Sequence, residues 1–271
     1  MGIGPDERRR TADWKKPLRW DKQVGEARPR VLCSLCDPFE EFRGSIKDAQ
    51  GKTGVIWPHN EVVFVTYPNY MPIEQLLTLD NLRADFFDLI DRTPRLTWIL
   101  ATKRPENVRR MWPLRSDGSD SGESDEFYLP NVWLLYSASD QPTLEAGLPH
   151  LLACRDLVPV LGVSLEPLLG PIRLGFRRAP TDDDYVGWSA DGPIDYVETK
   201  RGSRIDWVIV GAESGPKRRP CEVEWITDIA DQCREAGVAC FVKQDSAAKP
   251  GTQGRIPDEY WRIKEFPVVS P

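Results

Sequence analysis

ITDIADQCREAGVACFVKQ, Ile226 to Gln244, is the stretch that decides the fold class. Ile226, Ile229, Ala230 and Cys233 fall at i, i+3, i+4 and i+7, the apolar stripe of an amphipathic helix. Gly237 stands where a left-handed residue closes such a helix. Val238 to Lys243 then reads as a short buried strand, so the segment is one αβ unit. Working outward, runs of the same kind occur at Val31 to Cys36, Leu96 to Thr102, Asn131 to Ser137, Val158 to Ser164 and Trp207 to Ala212. Helical patterns separate several of them. Leu82, Phe86, Leu89 and Ile90 form a second stripe that Thr93-Pro94 stops, and Leu144, Leu148, Leu151 and Leu152 form a third. Gly147 and Pro149 interrupt the third, which predicts a kinked or two-piece helix. Strands alternating with helices predict βαβ units around a parallel sheet.

The 271 residues, 40% hydrophobic and with 10 Trp, 9 Phe and 7 Tyr, supply a sizeable core, and the expectation is one domain. Its core runs from about 28 to 246, with insertions at about 44–70, 114–127 and 179–204 and an irregular surface tail at 247–271. The first insertion carries the apolar run Val62 to Tyr67 and suits an extra strand or hairpin, whereas SDGSDSGESDE, Ser116 to Glu126, has no apolar anchor. A net charge of −6 argues against a chain-wide grip on nucleic acid or anionic lipid and leaves room for a local basic cleft. No apolar run approaches the roughly 20 residues that cross a bilayer, and MGIGPDERRR lacks a secretory core, so a cytoplasmic protein without disulfides is expected.

In parallel α/β sheets and barrels, ligands meet the carboxyl ends of the strands. Those positions are polar here: Asp37; Thr102, Lys103 and Arg104; Ser139 and Asp140; Ser164 and Glu166; Glu213 and Ser214; Lys243 and Gln244. Lys103, Arg104, Asp140, Glu166, Glu213, Ser214, Lys243 and Gln244 are the candidate ligand-binding residues. Each also fits a structural role. TKRPE, Thr102 to Glu106, suits a helix start; Asp140 before Pro142 suits an N-cap; GAESG, Gly211 to Gly215, suits a tight turn; Lys243 suits a salt bridge. Cys33 and Cys36 form one CxxC with no second pair to complete a zinc site, Cys233 and Cys240 read as core residues, and His59 and His150 support no triad, so no metal is expected. GxGxxG and GxxxxGK[ST] loops are absent from the sequence.

PLRW (Pro17 to Trp20), TKRPE, LPNVWL (Leu129 to Leu134), SDQ (Ser139 to Gln141), EPLLGP (Glu166 to Pro171), DWVIVGAESGP (Asp206 to Pro216), DQCREAGV (Asp231 to Val238) and FVKQ (Phe241 to Gln244) recur in one order over about residues 10 to 246. In this the chain resembles the phage-associated three-cysteine-motif proteins, themselves similar to radical S-adenosylmethionine enzymes. The resemblance implies a partial (βα)6 TIM-like barrel of the radical SAM type with insertions. It also implies S-adenosylmethionine and a [4Fe–4S] cluster held by an N-terminal cysteine motif. It further places Lys103, Arg104, Glu166, Glu213, Ser214, Lys243 and Gln244 around the cavity. The family's cysteines lie upstream of the PLRW phrase, where this chain has 16 residues and none, so a truncated or cluster-free form is expected. Ser137-Ala138-Ser139 also stands where relatives tend to carry an acidic residue.

Three function classes follow from this reading. The first is a radical-SAM-like barrel whose strand ends hold a nucleotide-like or S-adenosylmethionine-like ligand. The second is a non-catalytic binding module for an anionic metabolite or protein partner, motivated by Lys103, Arg104 and Lys243. The third is a metal-independent enzyme with Glu166 or Glu213 as general base.

Overall fold

Local chemistry sets the element boundaries. A computed structural model describes residues 7–25, 28–33, 37–57, 61–66, 76–115, 125–175 and 205–269. The first elements are β1 (Glu7–Arg9), α1 (Lys16–Lys22), β2 (Arg30–Cys33), β3 (Ser45–Lys47), β4 (Thr53–Trp57), β5 (Glu61–Val65) and α2 (Leu79–Asp91). After them come β6 (Thr97–Thr102), α3 (Val108–Met111), β7 (Leu114–Arg115), β8 (Asp125–Glu126), β9 (Val132–Ser137) and α4 (Gln141–Leu152). The last are β10 (Val160–Leu165), β11 (Trp207–Val210), α5 (Val223–Ala236), β12 (Ala239–Val242) and α6 (Asp258–Trp261). Packing divides the chain into two units, Met1–Val31 with Glu40–Thr97, and Leu32–Phe39 with Trp98–Pro271.

The first unit holds a four-stranded sheet in the order β1-β3-β4-β5, with β1 parallel to β3 and β4–β5 an antiparallel hairpin. The extra hairpin expected near 44–70 is therefore present; residues 58–60 and 67–70 lie outside the described ones. Helix α2 starts at a capping box, in which the Thr78 hydroxyl accepts from Asn81 N at 3.2 Å and the Asn81 side chain accepts from Thr78 N at 3.0 Å. It ends where the Thr93 hydroxyl turns back to donate to Leu89 O at 2.7 Å. Leu82, Phe86, Leu89 and Ile90 are all buried, as their spacing requires.

The second sheet contains all six expected strands, and its order β12-β11-β10-β9-β6-β2 follows the chain from one edge to the other. It is all-parallel and curled into a half-barrel, compatible with a partial α/β barrel. Of the strand expected at Val31 to Cys36, residues 34–36 lie outside the described ones, as does 176–204, which holds the third expected insertion. Helix α5 buries Ile226, Ile229, Ala230 and Cys233 and packs on β11 and β12, each large aliphatic side chain contributing roughly 1.5–3 kcal/mol. Gly237 closes α5 with φ +64°, the conformation that its missing Cβ permits. The Cys233 thiol is pushed far up by its hydrogen bond with Cys240 and by burial, so Cys233 stays a protonated core residue.

Helix α4 corrects the two-piece expectation, because it runs as one helix from Gln141 to Leu152. Pro149 lies in the final turn, where its missing N–H deprives a single carbonyl. Gly147 is required for another reason: a Cβ there would stand 2.6 Å from Tyr136 Cε1 and from its hydroxyl. At the amino-terminal side of the strands a buried ion pair ties β10 to β11. Asp206 Oδ2 accepts from Arg155 at 2.6 Å and from Leu161 N at 2.9 Å, and Arg155 also reaches Pro159 O at 3.3 Å.

Residues 247–269 contain α6 and otherwise no helix or named strand, yet they are fastened to the sheet edge. Val242 N donates to Ile263 O at 3.0 Å, Glu265 N to Cys240 O at 2.9 Å, and Cys240 N to the Glu265 carboxylate at 3.0 Å. The unpaired side of β12 is thereby covered.

Candidate functional site at the strand carboxyl ends

Alternation along parallel strands assigns every second residue to one face. Tyr136 meets α4 and Cys240 meets α5, so the residues between them in phase occupy the other face. That face is graded. Ile99, Trp133 and Val160 pair across β6, β9 and β10; one step on come Ala101, Leu135, Gly162, Trp207 and Ala239; the next step is Ser137, Ser164, Ile209 and Phe241. Trp133 and Trp207 meet edge to face at 5.6 Å, and Phe266 from the tail lies 5.2 Å from Trp207 and 5.5 Å from Phe241. The base is thus aromatic and filled. Toward the carboxyl ends the side chains shrink to Ala101, Ser137 and Ser164 on β6, β9 and β10, while β11 and β12 keep Ile209 and Phe241, and beyond them the residues become charged.

The rim holds two polar clusters. In one, Glu166 accepts from Lys243 Nζ at 2.6 Å and from Gln244 Nε2 at 3.1 Å. Gln244, 2% exposed, also donates to Ala212 O at 2.8 Å and accepts from Gly251 N at 2.8 Å, so all its polar atoms fix the Glu166 carboxylate against the tail. The salt-bridge role considered for Lys243 is therefore realised. In the other cluster Asp37 accepts from the Thr102 hydroxyl at 2.8 Å, Lys103 N at 3.1 Å, Arg104 Nη1 at 2.9 Å and Phe39 N at 3.0 Å. Pro105–Asn107 form a 3-10 turn into α3, so the helix-start role of TKRPE is also present. The Lys103 side chain is exposed and enters no ion pair among the described residues.

The remaining candidates have structural partners. Glu213 accepts from Arg219 N at 3.0 Å and Nε at 2.6 Å, and these hydrogen bonds hold its carboxyl below the ordinary range. Ser214 bridges to Ala247, joining the turn after β11 to the tail. Asp140 is the N-cap of α4, accepting from Thr143 N at 3.0 Å and from its hydroxyl at 2.6 Å. Those bonds, side chain first, lower its pKa. A lowered folded-state pKa contributes stability above the unfolded value near about 3.9 and loses it as pH falls through the folded value. Asp140→Ala is accordingly expected to cost about 1 kcal/mol at pH 7 in urea unfolding, Asp140→Asn much less, and the deficit should shrink below about pH 3.

One buried acid escaped the sequence reading. Asp245, 1% exposed, accepts from Arg255 N at 2.8 Å, Nε at 3.0 Å and Nη2 at 2.9 Å and from Ser246 N at 2.6 Å. Burial pushes its pKa up, but these bonds together outweigh it and leave the carboxyl below its ordinary range. Arg255 also donates to Cys221 O at 2.7 Å, and burial lifts the Cys221 thiol to about 11. Asp245 thus clamps the tail directly behind Gln244. Among the described residues no group of three or more His, Cys, Asp or Glu side chains is placed to hold a metal; Cys36 lies outside them. The residues described do not assemble three thiols, so no step through an iron–sulfur cluster is derived.

A family described as a protein of unknown function, DUF5131, matches residues 4–258. The chain belongs to this family. The matched span takes in both sheets, both rim clusters and the Asp245–Arg255 clamp, and it stops at the first residue of α6. No curated protein and no solved structure matches the chain. Among the described residues no helix is long and apolar enough to cross a membrane.

Proposed function

We propose that the chain is a radical-SAM-like partial barrel, kin to the phage-associated three-cysteine-motif proteins, that binds a nucleotide-like or S-adenosylmethionine-like ligand at the carboxyl edge of its six-stranded sheet. The radical-SAM type and the phage association rest on the sequence resemblance. The binding reading is carried by one observation, the graded face on which small residues stand between an aromatic base and a charged rim. Ala101, Ser137 and Ser164, each half-buried, form a strip of small side chains beside Ile209 and Phe241, against which a flat apolar group can rest, while Gly162 and Gly211 are closely packed by Trp207, Leu135, Lys243 and Gln244. Lys243 and Glu166, 38% and 17% exposed at their side chains, form a pair that an amino–carboxylate group can exchange: its ammonium for Lys243 and its carboxylate for Glu166. Lys103 adds a cation for a phosphate or carboxylate. Gln244, held from behind by the tail, keeps Glu166 in place when Lys243 turns to the ligand.

Isothermal titration with S-adenosylmethionine, adenosine and common nucleotides tests this. Saturable one-to-one binding is expected for at least one of them. Glu166→Gln and Lys243→Met should each weaken it about tenfold, roughly 1.4 kcal/mol, while Asp140→Asn leaves it unchanged. Absence of any binding, or binding indifferent to both rim substitutions, would overturn the reading in favour of a protein-partner module.

A further inference from the structure

We propose that Asp245 and Arg255 are positioning residues for the strand-end site, and that through residues 251–255 of the tail they set how the Gln244 amide meets Glu166. The inference rests on reading that edge as a ligand site. It assigns part of the site's geometry to a clamp that lies behind it.

The Gln244 amide has one way to lie. Ala212 O can only accept and Gly251 N can only donate, so Nε2 turns to the first at 2.8 Å and Oε1 to the second at 2.8 Å. The second Nε2 hydrogen is then left for Glu166 Oε1 at 3.1 Å, and the other carboxylate oxygen for Lys243 at 2.6 Å. Gln244 is 2% exposed, so without Gly251 N its Oε1 would be a buried acceptor left unmet. The side chain would turn to satisfy it and draw Nε2 off Glu166.

Asp245 keeps Gly251 in place. Its N–H donates to Thr252 O at 2.9 Å, and the Thr252 hydroxyl closes the turn onto Lys249 O at 2.8 Å. Its carboxylate takes Arg255 N at 2.8 Å, Nε at 3.0 Å and Nη2 at 2.9 Å. Two consecutive side chains, Gln244 and Asp245, thus grip one short loop at its two ends, Gly251 and Arg255. The loop is shaped to the carboxylate: Gly254 has φ +58°, and a Cβ there would stand 2.8 Å from Asp245 Cβ. Arg255 also donates to Cys221 O at 2.7 Å, which anchors the loop to the chain entering α5.

Fastening the tail does not call for this arrangement. Farther along, Ile263 O and Glu265 N already pair with β12, and Phe266 packs on Trp207. A clamp that served attachment alone would have no reason to end on the side chain that leads to Glu166. The Asp245 side chain is 2% exposed and that of Arg255 58%, so the arginine can be altered without opening the core.

Proton–nitrogen NMR of the ligand-free full chain tests the clamp, with the Gln244 amide pair assigned by its loss in Gln244→Ala. Those protons should exchange with water about tenfold more slowly than exposed glutamine amides. Arg255→Ala should speed their exchange about fivefold, the worth of one hydrogen bond. Arg255→Lys, which keeps the charge without the fork, should retain part of the protection, with circular dichroism matching the parent. Calorimetry with S-adenosylmethionine and adenosine reads the consequence. Arg255→Ala should weaken binding about fivefold in the parent and less than about twofold in Gln244→Ala, as an effect carried by Gln244 requires. Gln244 amide protons unmoved by either Arg255 variant would overturn the inference. Equal losses of affinity with and without Gln244 would do the same and mark the clamp as structural. An amide that responds in a chain binding neither compound upholds the clamp's hold on Gln244 and counts against the ligand reading alone.

Discussion

Asp206→Ala is expected to destabilise the protein by about 3–5 kcal/mol, the largest loss from any single substitution proposed for this chain. The side chains of Arg155 and Asp206 are 9% and 16% exposed, so the pair sits in surroundings that screen charge poorly. Removing the carboxylate takes the Asp206 charge away from a buried guanidinium and takes from Leu161 N an acceptor at 2.9 Å at the point where β10 begins. The cost is mostly the exposed penalty of the survivor. Replacing both partners with apolar residues of similar size, Arg155→Met with Asp206→Leu, should therefore return more than half of the loss. Urea unfolding followed by tryptophan emission suits the measurement, because Trp207 is the next residue and stacks within the aromatic base of the sheet. A single-variant loss under 1 kcal/mol would contradict the buried pairing, and a double variant as weak as the single would show the salt bridge itself to be stabilising.

The way Asp206 acts bears on what the sequence could disclose. DWVIVGAESGP displays a strand and its exit turn by composition alone, since four consecutive apolar residues bounded by a charge and glycines admit few other readings. All six strands of the large sheet were legible on that ground, and so were the stripes of α2 and α5 with their terminators. The acid at the strand's start gave no such signal. Its partner is 51 residues away in sequence, and an Asp before a strand is as ordinary on a surface as in a buried pair. Periodicity reports which face a residue takes within its own element; it says nothing of which distant charge meets it.

The strand-end residues divide in the same way. That Glu166 and Lys243 share one edge follows from parallel strands, and their contact at 2.6 Å could be anticipated once the strands were placed. Asp37 as the hub for Thr102, Lys103 N and Arg104 was harder to foresee, because a carboxylate's backbone donors leave no trace in residue type. The tail was the least legible. Pro, Gly and isolated aromatics signal loop, and the segment is largely that, but Phe266 on Trp207 and the Asp245–Arg255 clamp are tertiary contacts carried by irregular backbone. Without a repeating period, apolar residues such as Ile256, 1% exposed, cannot be assigned a face. For Asp140 the capping alternative proved to be its structure, since the Asp-x-x-Thr spacing of a helix start is a local signal and local signals survive folding best.

Gly147→Ala carries the second large effect and runs against local propensity. In an exposed helix the change would stabilise by roughly 1 kcal/mol, since alanine loses less backbone freedom than glycine on folding. Here the added methyl would stand 2.6 Å from Tyr136 Cε1 and from its hydroxyl, well inside contact distance. Tyr136 cannot swing clear: its ring is 5% exposed and its hydroxyl donates to Thr143 O within the first turn of α4. Overpacking of this kind costs about 3 kcal/mol, so a net loss of about 2 kcal/mol is expected in chemical denaturation. The sign separates the two influences, because propensity alone predicts a gain. Pairing Gly147→Ala with Tyr136→Leu removes the obstructing ring, and the combined loss should fall clearly short of the sum of the two single losses. Simple additivity would mean that the helix and the ring do not meet, and with that the seating of α4 against β9 would fail.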